Sequence, residues 1–124
     1  MNDSLILKSE QMSVEIDCGS GAVLALIDRA TDVNLISDPR LAENFRLLLP
    51  LPDLRSNYLY GMAQTLTGTE ETEDGIELRW DGPLKNDYGA FDLDVVLRIE
   101  LVGEQLQWQC RVGNRTEHEL TEVW

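Results

Sequence analysis

Phe91-Asp92-Leu93-Asp94-Val95-Val96-Leu97-Arg98-Ile99-Glu100-Leu101 is the stretch on which the fold turns. Phe91, Leu93, Val95, Leu97, Ile99 and Leu101 are apolar, and charged residues stand at Asp92, Asp94, Arg98 and Glu100. A period of two puts one set on a buried face and the other in water, which is the signature of a half-buried β-strand. A second alternating run follows at once. Leu106, Trp108, Cys110 and Val112 are apolar, with Gln105, Gln107, Gln109 and Arg111 between them. Gly103-Glu104 joins the runs, and glycine first in a two-residue loop suits a type II′ turn. That turn fixes the register: Leu101 faces Leu106, Ile99 faces Trp108, Leu97 faces Cys110 and Val95 faces Val112. All the apolar residues then share one side, so the two patterns agree through one turn.

Shorter strands are expected on either side. Leu5 to Lys8 is the first. Ser13 to Asp17 points Val14 and Ile16 inward, and Cys18-Gly19-Ser20-Gly21 makes a turn. Ala22 to Ile27 is continuously apolar, as a strand covered on both faces would be. Asp28 to Asp32 turns the chain into Val33 to Ile36. Phe45 to Leu49 and Tyr58 to Leu66 read as strands, and Ile76, Leu78 and Trp80 form another inward row after Asp74-Gly75. Asp38 to Glu43 offers one helical turn, with Pro39 at a tolerated first position. Many short strands with polar turns indicate an all-β, antiparallel β-sandwich. At 124 residues the chain fits a single domain, residues 1–124. Its last residues, Glu119 to Trp124, read as a strand beginning, so the expectation is the N-terminal segment of a longer protein.

The formal net charge of −13 excludes partners that need a basic face. Phosphate backbones and anionic membranes would be repelled, so no nucleic acid and no membrane partner is expected. No apolar run approaches the roughly 20 residues of a membrane span. Met1-Asn2-Asp3-Ser4 does not open a secretory signal. Cys18 and Cys110 both lie in apolar patterns and read as buried thiols, which points to a cytoplasmic protein.

The run Ser13 to Ile36 resembles the opening hairpins of galactose-mutarotase-like supersandwich domains. Gly21, Leu24, Ile27, Asp28 and Thr31 fit the family's pattern of a glycine turn followed by an apolar strand and a second turn. Asn114 and Thr116 stand where such domains close a long hairpin on an Asn-x-Thr/Ser pattern. The resemblance implies the N-terminal supersandwich domain that precedes the (β/α)8 barrel of glycoside hydrolases. It further implies a non-catalytic accessory role, with the catalytic domain of the same chain as partner and carbohydrate as ligand. Aldose epimerases share the fold, but they need a histidine pair with a carboxylate, and this chain has one histidine, His118.

Leu49-Pro-Leu-Pro-Asp-Leu-Arg-Ser-Asn-Tyr-Leu-Tyr-Gly61 mixes prolines, an arginine, an asparagine and two tyrosines. Tyrosine faces stack on the C–H faces of sugars, and Arg and Asn bond hydroxyls in fixed geometry. Arg55, Asn57, Tyr58 and Tyr60 are therefore the expected substrate-binding residues. The plainer reading is a crossover loop whose tyrosines pack on the sandwich edge. Trp80 and Trp108 are expected in the core, and Trp124 at an edge or an interface. Glu70, Glu71, Glu73 and Asp74 read as a solvated loop. Asp81 to Asp87 carries oxygen ligands, but Pro83, Leu84 and Lys85 break any calcium-loop spacing. No catalytic residue, metal site or cofactor is expected. The row Gln105, Gln107, Gln109, Arg111, together with Arg98 and Glu100, could serve as a flat binding face. The rival functions are a free-standing carbohydrate-binding module and a ligand-free structural or assembly domain.

Overall fold

The computed structural model describes residues 4–36, 43–103 and 105–124. Thirteen strands occur among them: β1 Ser4–Lys8, β2 Met12–Asp17, β3 Val23–Asp28, β4 Val33–Asn34, β5 Arg46–Leu48, β6 Tyr58–Tyr60, β7 Gly68–Glu71, β8 Gly75–Trp80, β9 Leu84–Asn86, β10 Gly89–Phe91, β11 Leu93–Val102, β12 Gln105–Asn114 and β13 Glu122–Val123. A 3-10 turn at Gly61–Ala63 is the only helical element named within these residues. Every pairing is antiparallel. Four sheets result, in the orders β1-β2-β3-β4, β12-β11-β8-β7, β13-β5-β6 and β10-β9. The chain is thus an all-β, antiparallel sandwich. The helical turn expected at Asp38 to Glu43 falls mostly outside the described residues, as does Glu104 of the hairpin turn.

The long hairpin has the register its sequence requires. Ile99 pairs with Trp108, Leu97 with Cys110, Val95 with Val112 and Leu101 with Leu106. Gly103 takes φ +61°, the left-handed region that glycine enters without steric penalty. β11 continues the inward row onto β8, where Ile76, Leu78 and Trp80 pair with Ile99, Leu97 and Val95. Across the other face runs a polar row, Glu70–Glu77–Arg98–Gln109. Arg98 bridges Glu77 at 3.1 Å and so offsets the like charges facing each other on β7 and β8.

One core joins the sheets. Val14 and Ile16 of β2, Leu47 of β5, Leu59 of β6, Leu78 and Trp80 of β8, and Val95 and Ile99 of β11 are all fully buried in a shared cluster. Phe45 meets Trp80 edge to face, with ring centroids 4.9 Å apart. A backbone bond from Leu66 N to Gly19 O ties the segment before β7 to the turn between β2 and β3. The Gln64 side chain makes a similar tie, donating to Tyr60 O and Lys85 O and accepting from Lys85 N.

Several expectations need correction. Trp108 faces Ile99 but is 41% exposed, and Cys110 beside it is exposed as well. β12 is the edge of its sheet, so its apolar side meets the core on one flank only. β3 is not covered on both faces, since Leu24 is 46% exposed. Glu70 and Glu71 lie on the edge strand β7 rather than in a loop, though they remain solvated. The segment Tyr58 to Leu66 is strand only to Tyr60. The Asn114-x-Thr116 pattern builds a turn. Asn114 Oδ1 accepts from Thr116 N and Oγ1, and Asn114 Nδ2 donates to His118 O. Arg115 pins this turn to the start of β11 through Asp94 and through Asp92 just before the strand, and the two carboxylates hold its guanidinium in the charged form.

Candidate functional site

The loop before β6 begins with a tight bridge, in which Leu51 and Leu54 exchange both backbone bonds. The following residues scatter the four expected contacts among three environments. Asn57 is fully buried. Its Nδ2 donates to Leu49 O at 3.0 Å, and its Oδ1 accepts from Asn86 Nδ2 at 2.7 Å. Its amide is therefore spent inside the protein, and Asn57 holds the loop in place rather than facing a ligand.

Tyr58 and Tyr60 point outward from β6, because the residue between them, Leu59, is buried. Their rings lie near-parallel, with centroids 6.0 Å apart and planes 28° apart. Arg46, opposite Tyr60 on β5, covers one side of that ring, with its guanidinium carbon 4.9 Å from the centroid. The rings open onto a cleft of about 380 Å³ that Ser56, Ala63, Asn86, Asp87 and Tyr88 complete.

The last three were not foreseen. β9 and β10 form a hairpin whose two-residue loop is Asp87-Tyr88, with Asn86 opposite Gly89. Tyr88 is 67% exposed at its tip. Asn86 anchors the hairpin to β6, since its Nδ2 also donates to Tyr58 O at 2.9 Å and its Oδ1 accepts from Tyr88 N. The signal available in the sequence was Asn86-Asp-Tyr-Gly89, a turn-forming cluster between Leu84 and Phe91. Three tyrosines, an asparagine and an aspartate thus border one open groove, a combination that offers stacking faces and hydrogen-bonding groups together.

Arg55 is not part of that groove. It lines a second, shallower cleft of about 340 Å³ with Pro50, Leu51, Pro52, Glu117, His118, Glu119 and Thr121. Among the described residues, no group of three or more His, Cys, Asp or Glu side chains is arranged to hold a metal. No helix among them is long and apolar enough to cross a membrane. The Asp17 carboxylate is shifted by its setting. Bonds from Ser20 Oγ and from nearby backbone amides hold it below the ordinary range, and this caps the Cys18–Gly21 turn. Desolvation pushes the Cys110 thiol up, away from the reactive thiolate.

No protein-family model matches the chain, and no curated protein matches it in sequence. Among solved structures, a 4-alpha-glucanotransferase from Thermococcus litoralis is similar in fold, with a TM-score of 0.63 at 15% sequence identity. The likeness covers 90% of this chain and 24% of that one, so the chain spans about a quarter of its neighbour's length.

Proposed function

We propose that the chain is a non-catalytic β-sandwich domain of a larger glycoside-hydrolase-like enzyme, and that it contacts carbohydrate through Tyr58, Tyr60 and Tyr88. The fold likeness to part of a 4-alpha-glucanotransferase supports the first half of this reading. The pattern shared with galactose-mutarotase-like supersandwich domains supports it independently. Its place ahead of a (β/α)8 barrel rests on that resemblance alone. In this role the domain buttresses a catalytic domain of the same protein, and the paired carboxylates that cleave or transfer glycosidic bonds belong to that partner. The free thiol at Cys110 favours a reducing compartment such as the cytoplasm.

The observation that carries the carbohydrate reading is the groove between β6 and the β9–β10 hairpin. Tyr88 offers a largely free ring face, while Asp87 and the tyrosine hydroxyls can bond sugar hydroxyls. Arg55, in the neighbouring cleft, would contact a longer chain. Titration of the isolated chain with malto-oligosaccharides and with unrelated glycans tests this, read by chemical-shift changes at Tyr58, Tyr60 and Tyr88. The expected result is shifts confined to the groove, lost in Tyr88→Ala with no change in unfolding midpoint. No shift with any glycan at millimolar concentration would remove the carbohydrate contact and leave a purely structural domain. Tight binding by the chain alone would favour the free-standing binding module instead.

A further inference from the structure

We propose that β12 is a self-association edge, along which two copies of this chain pair antiparallel about a twofold axis at Gln109. The inference is independent of the carbohydrate groove, which lies on other sheets.

An edge strand exposes a row of unpaired backbone groups, and proteins blunt it with shortness, charge, proline or bulges. The other edges among the described residues carry such devices. β7 ends in Glu70-Glu71, β1 ends in Lys8, and β4, β6 and β13 are two or three residues long. β12 has none of them. It runs for ten residues in unbroken register with β11, and it contains no lysine, no proline and no carboxylate. Its core-facing side ends in the exposed Trp108 and Cys110.

Charge marks where a second copy meets the least repulsion, and the self-complementary register of the strand makes that copy the occupant. The chain carries 23 acidic residues against 10 basic ones, so two copies repel over most approaches. Gln105 to Asn114 is the long strand where that repulsion is absent, with Arg111 its sole charge. The sequence also fits itself. For core-facing residues to meet core-facing residues, the axis must pass through a residue and not between two. With the axis at Gln109, Leu106 faces the other copy's Val112, and Trp108 faces its Cys110. All four apolar residues then have apolar partners, and Arg111 faces Gln107. With the axis one residue later, at Cys110, Leu106 would face Asn114. The pairing extends β12-β11-β8-β7 into a continuous eight-stranded sheet and covers Trp108.

Light scattering and sedimentation across a concentration series test this with the unmodified chain. The expected result is a monomer–dimer equilibrium, with Trp108 emission shifting to the blue as dimer forms. Gln109→Glu sets two carboxylates opposite each other at the axis and should weaken the dimer at least tenfold. Gln105→Glu, which faces Gly113, should weaken it less. Both positions are exposed, so circular dichroism should report an intact fold in each variant. A second readout uses Cys110→Ser with Gln109→Cys, which should form a disulfide between copies under mild oxidation. A monomer at every concentration would overturn the proposal. So would a dimer indifferent to Gln109→Glu that forms no such disulfide, because it would use another face.

Discussion

Gly21 lies against the indole of Trp80 so closely that a β-carbon there would sit 2.3 Å from Cζ2. The same turn accepts the indole N–H at Ser20 O, 3.3 Å away. Gly21 also holds φ +77°, so space and backbone conformation both require glycine. The turn between β2 and β3 is thereby locked onto the largest buried side chain of β8. Gly21→Ala should destabilise the fold by about 3 kcal/mol through overpacking and strain. Gly103→Ala meets nothing within 4 Å and should cost only about 1 kcal/mol, from its φ of +61°. Urea unfolding of the two variants gives the comparison directly.

Two tryptophans facing the same way should behave differently. Trp80 is 1% exposed and Trp108 is 41% exposed. Trp80→Ala should lose about 3–5 kcal/mol, as large-to-small core changes do. Trp108→Ala, measured at dilution where the chain is monomeric, should lose under about 1.5 kcal/mol. Acrylamide should quench Trp108 and spare Trp80. Equal losses in the two variants would mean that β12 is covered.

The burial of Asn57 separates a structural amide from a ligand contact. Asn57→Ala takes the side-chain donor from Leu49 O and one of the two acceptors from Asn86 Nδ2, and should destabilise by about 2 kcal/mol. Tyr88→Ala, at an exposed hairpin tip, should change stability by no more than about 0.5 kcal/mol. Thermal melts of both variants, set beside their glycan titrations, distinguish the two roles.

Asp17 gives the fold a pH dependence of known sign. Ser20 and the turn amides lower its pKa in the folded chain. The stabilisation it supplies is therefore complete above the ordinary carboxylate pKa of the unfolded chain, and it is lost as pH falls through the lower folded value. Ser20→Ala removes the largest contribution, the Oγ bond. The variant should be less stable than the parent near neutrality, and the gap should close on acidification. A gap that stayed constant or widened on acidification would contradict this account of the turn.

Alkylation of Cys110 checks the opposite shift. Desolvation raises its pKa, so its rate with iodoacetamide should keep climbing with pH beyond the point where an ordinary thiol levels off. Mass spectrometry of the modified peptide isolates this site from Cys18.

The sequence carries some of this structure openly and conceals the rest for physical reasons. The β11–β12 register was legible because ten alternating residues and a glycine turn each specify it. What alternation cannot say is whether the face it selects has anything packed on it. Trp108 and Leu24 are exposed for that reason, although their patterns are as apolar as those of Trp80 and Val23. β9 and β10 were hidden because three-residue strands are too short to alternate recognisably. β7 was hidden because an edge strand with outward glutamates has the composition of a loop. Of the expected sugar contacts, Tyr58 and Tyr60 do share a groove. Asn57 was misjudged because the partner that buries it, Asn86, is distant in sequence, and local composition carries no trace of it. Tyr88 was overlooked with its hairpin.

The fully buried cluster that runs through Ile16, Leu47, Leu59, Trp80 and Ile99 has a consequence for how the molecule comes apart. Its small sheets possess no private interiors, so none can melt while its neighbours persist. Fluorescence, far-ultraviolet dichroism and calorimetry should trace one superimposable transition. A protease that cuts inside any strand would leave fragments without residual order, whichever strand it chose.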